Sequence, residues 1–327
     1  MALQAVDKFK KKAVILDLSA TDRGDLCLDS VKALNLDWQL MDNASPEQVS
    51  ALIADKQIVV TNKVVLDRKT LEAATSLKLV CISATGTNNV DLVAARELGI
   101  DVCNVTGYAT PAVVQYVFAT MLSLFGRLQD HRLAVKRGEW SRSEQFCLLD
   151  FPFHECQGKT IGIVGYGELG KAVAGVAKSF GMQVLIAARN SDDKREGRIP
   201  LNEMLPQLDV LSLHCLLNDE TENLISKKEL DALPKGAIVI NSARGGIVNE
   251  KDLLASIENG HLGGAATDVL SAEPPPENHC LLQKEYNNLI VTPHIAWASV
   301  ESRQRLIDQV ALNISEYLSG HSRNIIN

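Results

Sequence analysis

Three polar residues stand where apolar runs end. Arg244 follows AIVINSA (237–243), Glu273 precedes three prolines in TDVLSAEPPP (267–276), and His294 sits between Pro293 and Ile295 in TPHIAWAS (292–299). Taken singly, such a histidine reads as a hydrogen-bonded core residue and such a glutamate as a loop charge. An arginine ending an apolar strand is costly to bury unpaired, so it calls for a carboxylate, from the protein or from a substrate. Together they supply a proton donor, a carboxylate to orient it and a fork for an anion, a set suited to small carboxylic acids. His214 ends DVLSLHC (209–215) with no acidic neighbour in sequence and by itself reads as structural. Trp297 reads either as core or as the wall of a pocket.

Gly165, Gly167 and Gly170 form GxGxxG within IGIVGYGELGKAVAGVAKSFGMQVLIAAR, directly after a strand-like run and opening a helix-like one. The first glycine permits a tight turn, the second lets a pyrophosphate approach the backbone, and the third lets helix and sheet pack closely. Free N–H groups at the helix start then bind the anion. A triphosphate-binding loop would also match Gly165, Gly170 and Lys171. It requires Ser or Thr next for Mg²⁺, and Ala172 stands there. A dinucleotide fold ordinarily ends its second strand with a carboxylate for the adenine ribose. Here the strand ends Ala187–Ala188–Arg189–Asn190, so Arg189 is either a solvated charge or, with Asn190 and Ser191, a ligand for a 2′-phosphate.

The elements that must hold these residues alternate between strand and helix. AVILDLS (13–19), Leu36–Met41, QIVVTN (57–62), KLVCIS (78–83) and IDVCNV (100–105) read as strands, with helices at Pro46–Ala54 and Asn89–Leu98. A single long helix is expected over Pro111–Arg137, capped by Thr110 and stopped at Gly138. A second array begins at Thr160, with strands at 160–165, 183–188, 209–215, 237–243, 264–269 and 288–293. Its helices fall at Glu168–Phe180, Ser226–Asp231 and Asn249–Asn259. Ala298–Ser319 reads as a terminal helix, while 139–159 is aromatic without a period and needs a surface to cover. The expectation is α/β, with two Rossmann-like, doubly wound parallel-sheet lobes and the active site in the cleft between them.

Composition narrows the function further. With 33 basic against 40 acidic residues the net charge is −7, the wrong sign for a protein that neutralises phosphate backbones. Nucleic acid is therefore excluded as a main partner. No apolar run approaches the roughly 20 residues that span a bilayer, so no membrane role is expected. The basic N-terminus leads into an apolar run too short for a signal core. Seven cysteines lack paired spacing, which points to no disulfide framework, no metal and a cytoplasmic location.

At these residues the chain resembles the D-isomer-specific 2-hydroxyacid dehydrogenase family. The resemblance covers nearly the whole sequence: SATGTNNVDL (83–92), NVTGYATPAVVQ (104–115), GxGxxG, SLHC (212–215), NSARGGIVNE (241–250), TDVLSAEPP (267–275) and TPHIAWAS. The loop wording is most similar to the glycerate dehydrogenase, or hydroxypyruvate reductase, branch. The family's Arg, Glu and His fall on Arg244, Glu273 and His294.

The resemblance implies reversible reduction of a small 2-oxo acid, hydroxypyruvate or glyoxylate, to a D-2-hydroxy acid by hydride from NAD(H) or NADP(H). It implies cofactor contacts at Gly165, Gly167, Glu168, Leu169, Gly170, Arg189, His214, Cys215, Thr221, Ser242, Ala243 and Asp268, the last at the carboxamide. Thr85 and Gly86 would bind the substrate carboxylate by their N–H groups, with Arg244, His294 and Trp297 completing the pocket. His214-Cys215-Leu216-Leu217-Asn218 lacks the family's adenine-side proline, and Ala188 replaces its acidic ribose ligand, which favours NADPH. A discontinuous substrate-binding domain (1–106 plus 298–327), an inserted dinucleotide domain (107–297) and a homodimer follow from the same likeness. Another D-2-hydroxy acid or phosphite as substrate, or a dinucleotide-responsive regulatory role, stays open.

Overall fold

The computed structural model describes residues 10–190 and 192–327. Residues 1–9, with most of the basic N-terminus, and Ser191, a candidate phosphate donor, lie outside the described residues. In chain order the elements begin β1 (Lys11–Ile15), α1 (Asp29–Lys32), β2 (Leu36–Leu40), α2 (Pro46–Ile53), β3 (Ile58–Thr61) and α3 (Arg68–Ala73). They continue β4 (Leu79–Ile82), α4 (Leu92–Glu97), β5 (Asp101–Cys103), α5 (Thr110–Phe125) and α6 (Leu128–Lys136). Next come β6 (Thr160–Val164), α7 (Glu168–Ser179), β7 (Gln183–Ala187), β8 (Arg198–Ile199), α8 (Leu201–Met204) and β9 (Val210–Leu213). The last are α9 (Lys227–Ala232), β10 (Ile238–Asn241), α10 (Glu250–Glu258), β11 (Gly264–Thr267), β12 (Leu289–Val291) and α11 (Val300–Leu318).

Two parallel sheets result, ordered β2-β1-β3-β4-β5 and β12-β11-β10-β9-β6-β7-β8. The strands β3, β4, β9 and β10 are buried at every residue. That is why they read as unbroken apolar runs: helices cover both faces of a parallel sheet. The chain divides into two compact units, one up to Ala109 together with Ala298–Asn327, the other Thr110–Trp297. In the second sheet the order reverses between the neighbours β6 and β9, and open α/β sheets bind ligands beyond the carboxyl ends of strands at such a point.

Several expected boundaries move. The helix expected over Pro111–Arg137 is two helices, bent by 59° at Gly126–Arg127. Arg127 has φ 45, its guanidinium bonds Asp130 at 2.8 Å, and it lies over the Phe151 ring. Apolar periodicity runs across this break, whereas glycine is a weak helix former. Thr110 is the first helical residue rather than the cap, and its hydroxyl donates to Glu168 at 2.6 Å. The first strand stops at Ile15, because the buried Asp17 carboxylate turns aside to accept the N–H groups of Asn62, Lys63 and Val64. Among the described residues no single helix is long and apolar enough to cross a membrane.

The last residues complete the first sheet. β5 is its edge strand, and the chain end runs antiparallel against it. Cys103 is bridged to Ile325, Asn104 N–H donates to Asn324, and Ile326 N–H donates to Val102. In the second unit the segment after α6 forms one short 3₁₀ turn, Trp140–Arg142, and leaves Phe146 (89%), Leu149 (79%) and Phe153 (61%) exposed.

Candidate active site

The glycine-rich loop joins β6 to α7. Gly165 adopts φ +91, and a Cβ there would stand 2.5 Å from the His214 carbonyl and the Cys215 nitrogen, so the loop is seated directly on the end of β9. A Cβ on Gly170 would stand 2.1 Å from the Gly165 oxygen, the close helix-to-loop contact that only glycine allows. A Cβ on Gly167, by contrast, would meet nothing within 4 Å. Gly167 caps α7 with no side chain, which leaves the first N–H groups of the helix without a side-chain cap and open to an anion. The Glu168 carboxylate is turned away to Thr110. On the neighbouring strand ends, His214 Nδ1 and Ser242 Oγ are buried polar atoms without a partner among the described residues. An open helix start beside two orphaned polar atoms fits a dinucleotide.

Around that cradle, His214 Nε2 lies 2.9 Å from Ser212 Oγ, and burial pushes the imidazole down to about 4, so it is neutral at physiological pH. Burial pushes the Cys215 thiol up. Thr221 folds its hydroxyl onto the Leu216 carbonyl at 2.6 Å. Ala243 is buried, with its N–H on Asn241 Oδ1 at 3.1 Å. Past β7, the exposed Arg189 donates its backbone N–H to Asp193 at 2.8 Å. Asp193 in turn takes two bonds from the Arg195 guanidinium, at 2.7 and 2.6 Å, which hold its carboxyl well below the usual carboxylate range. Arg198 stacks 4.9 Å above the Tyr166 ring of the glycine-rich loop.

The three residues of the expected triad also lie at strand ends of this sheet. His294 Nδ1 is 2.7 Å from Glu273 Oε2. An ionised carboxylate only accepts, so Nδ1 carries the proton and Nε2 is left for another partner. The Glu273 carboxylate is held from its other side, where Oε1 accepts the Leu270 N–H at 2.9 Å. His294 has φ 56, a left-handed backbone that costs a side-chain-bearing residue of order 1–3 kcal/mol. Asp268 supplies the restraint. Its carbonyl accepts the His294 N–H at 2.8 Å, and its carboxylate accepts Ile295 N–H (2.8 Å), Ala296 N–H (2.7 Å) and the Thr292 hydroxyl (2.6 Å). Burial pushes the Asp268 carboxyl up despite those bonds. The Tyr116 hydroxyl reaches Thr292 Oγ1 at 2.8 Å, and its own proton is held more tightly by burial.

Arg244 has no carboxylate partner among the described residues; one guanidinium nitrogen donates to the Ala243 carbonyl at 2.7 Å. Asn241 brackets that turn, donating to the Arg244 carbonyl at 3.0 Å. Sequence reading passed over Asn241 and Thr292 as site residues. An Asn three positions before a strand-end arginine is an Asx-turn signal that would have found the first. Trp297 is half-buried. In the first unit, Thr85 bonds Val105 through its hydroxyl (2.8 Å) and Asn104 through its carbonyl (2.8 Å). Among the described residues the N–H groups of Thr85 and Gly86 have no partner.

Residues 118–296 match the family described as D-isomer specific 2-hydroxyacid dehydrogenase, NAD binding domain. A glycerate dehydrogenase from Methylorubrum extorquens is 37% identical over 319 residues, 97% of this chain and 99% of that protein. A hydroxypyruvate reductase from Blautia hydrogenotrophica is 36% identical over 322 residues, again 97% and 99%. The crystal structure of the TT0316 protein from Thermus thermophilus superposes with a TM-score of 0.83 at 28% identity, covering 97% of this chain and all of that one. The chain belongs to the D-isomer-specific 2-hydroxyacid dehydrogenase family, enzymes that use a nicotinamide dinucleotide.

Proposed function

We propose that this dehydrogenase reduces a small 2-oxo acid, hydroxypyruvate or glyoxylate, to the D-2-hydroxy acid, and catalyses the reverse oxidation. The observation that carries the reading is the His294–Glu273 pair with its unpartnered Nε2. It is supported by the glycerate dehydrogenase and hydroxypyruvate reductase that the chain resembles over nearly its full length. The bound nicotinamide supplies the hydride. The turn Gly165–Gly170, the start of α7, His214 and Ser242 would hold the dinucleotide, with Cys215, Thr221 and Ala243 beside them. His294 donates a proton from Nε2 to the carbonyl oxygen as negative charge grows there. Glu273 offsets the charge of the imidazolium and keeps its ring in register. Arg244, whose fork meets no carboxylate among the described residues, takes the substrate carboxylate bidentately. Within the first unit, the N–H groups of Thr85 and Gly86 would bind a carboxylate, and within the second, Trp297 would narrow the pocket.

NADPH is the preferred cofactor in this reading. Ala188 offers no carboxylate to repel a 2′-phosphate, and of the two acids that follow, Asp192 and Asp193, the second has both oxygens engaged by Arg195. Arg189 is left exposed to pair with the phosphate. The exposed side chains of Phe146, Leu149 and Phe153 support a homodimer that covers them. Seven free cysteines support a cytoplasmic location.

The test is a panel of glyoxylate, hydroxypyruvate, pyruvate and phenylpyruvate with NADPH and NADH in turn. The highest kcat/KM is expected for hydroxypyruvate or glyoxylate with NADPH, and Ala188→Glu should lower the NADPH value more than the NADH value. Activity confined to phenylpyruvate would refute the substrate class. A tenfold advantage for NADH, about 1.4 kcal/mol of differential binding, would refute the cofactor preference.

A further inference from the structure

Behind the His294–Glu273 pair lies a second carboxylate–imidazole pair. Glu250, the first residue of α10, accepts the Ser271 N–H on Oε1 at 2.6 Å and the Ser271 hydroxyl on Oε2 at 2.8 Å. The same Oε2 lies 3.0 Å from His279 Nε2. The other nitrogen of that ring, Nδ1, accepts the Leu281 N–H at 3.4 Å. A nitrogen that accepts an N–H carries no proton, so neutral His279 holds its hydrogen on Nε2 and donates it to Glu250. Both side chains are largely buried, 7% exposed for His279 and 15% for Glu250.

What the pair grips is the loop that carries Glu273. Ser271 is bonded twice to Glu250, and its neighbour Leu270 donates the N–H that orients the Glu273 carboxylate. The Arg244 segment meets the same loop a few residues away. A Cβ on Gly245 would stand 1.8 Å from the Leu270 oxygen and 2.6 Å from the Ser271 nitrogen, so the two backbones are in direct contact there. From Gly245 the chain runs through the buried Ile247 and Val248 to Glu250. The turn bearing Arg244 and the loop bearing Glu273 are therefore joined at two places: by backbone contact at Gly245 and by the buried Glu250 grip on Ser271 and His279.

We propose that Glu250 and His279 are positioning residues for the reaction: their pairing fixes Ser271 and so aims the Glu273 carboxylate at His294. They act through Ser271 and the Glu273 carboxylate. The inference rests on His294 being the proton donor. Among the described residues, the charged groups seen to act on that ring are Glu273 on Nδ1 and Asp268, whose carboxylate holds the following backbone. Loosening the grip lets Glu273 drift, the imidazolium loses stabilisation, and the alkaline limb of 2-oxo acid reduction moves to lower pH.

The experiment measures kcat and KM against pH, with melting temperature, for wild type, Glu250→Gln, Ser271→Ala, His279→Leu and His279→Gln. Glu250→Gln and His279→Leu should lower kcat by about 3–10-fold, the scale of one hydrogen bond lost. They should move the alkaline limb by about half a unit to one unit while leaving the KM for the dinucleotide unchanged. His279→Gln keeps an N–H donor facing Glu250 and should restore much of the loss. Ser271→Ala, which removes one hydroxyl, should shift the limb in the same direction by less and keeps the test open if Glu250→Gln fails to fold. Variants that melt lower yet keep the wild-type limb would reduce the pair to a structural role and overturn the proposal. His294→Ala is assayed alongside: an active His294→Ala enzyme overturns the proton-donor reading itself. An inactive one beside unmoved limbs in the other variants overturns only the positioning role.

Discussion

His294 and His279 each hold a glutamate on one ring nitrogen, and the fate of the other nitrogen separates them. His294 is 29% exposed, its glutamate 36%, and its Nε2 meets nothing in the described chain. His279 is 7% exposed, its glutamate 15%, and its second nitrogen is spent on a backbone N–H. The backbones differ as well: His294 is held at φ 56 by bonds to Asp268, whereas His279 has an ordinary extended conformation and caps a short 3₁₀ turn. In the proposed roles, the same two residue types make a proton donor where one nitrogen is spare and a fastener where neither is. His214 marks a third condition: one nitrogen lies on Ser212 and, among the described residues, the other is orphaned and no carboxylate bonds the ring.

The contrast breaks most plainly at His294. His294→Ala should lower kcat for 2-oxo acid reduction by roughly 10²–10⁴-fold, the range for a lost acid–base group. The corresponding change at His279 is limited to the few-fold effect given above. Comparable losses in steady-state rate at the two positions would erase the distinction. A smaller effect sharpens it from the carboxylate side. Glu273→Gln leaves the ring but removes the charge beside it, so the alkaline limb of the pH–rate profile should move to lower pH by about 1 unit or more. A limb that stays in place would mean that Glu273 orients the ring without stabilising its charged form.

The smallest effect belongs to His214 and is read in stability. Its folded-state value of about 4 lies below the ordinary 6.5, so in that window the unfolded chain binds the extra proton. Stability is fully present above pH 6.5 and is lost as pH falls toward 4, by about 3 kcal/mol when complete. His214→Gln removes the titrating group. Between pH 7 and 5 its melting temperature should therefore fall by a few degrees less than that of the wild type. Parallel curves for the two proteins would show that burial of this ring does not govern its protonation.

Much of the candidate site was legible in order along the chain, because its signals are local. A glycine-rich turn, an arginine after a strand and a histidine beside a proline are each written within a few residues. The parallel sheets were legible for a similar reason, since buried strands repeat as short apolar runs between helical stretches. What stayed hidden depends on which of several possible contacts forms. Glu250 and His279 are 29 residues apart and meet only because α10 begins beside the loop after β11. The break at Gly126–Arg127 lies within a continuing apolar pattern, and what holds it is an ion pair with Asp130 and the Phe151 ring. The capture of Asp193 by Arg195 was equally invisible, because a charged run offers many pairings and only the turn past β7 selects one.

The strip of chain laid along β5 bears on how the protein is made. A bare sheet edge is a template for pairing with other chains, and here residues 324–326 are its cover. On a ribosome adding roughly 5–20 residues per second, β5 emerges long before they do. The whole of Thr110–Trp297 is synthesised in between, an interval of roughly 10–40 s at that pace. During translation the β5 flank of the nascent first sheet therefore stays uncovered until residues 324–326 emerge.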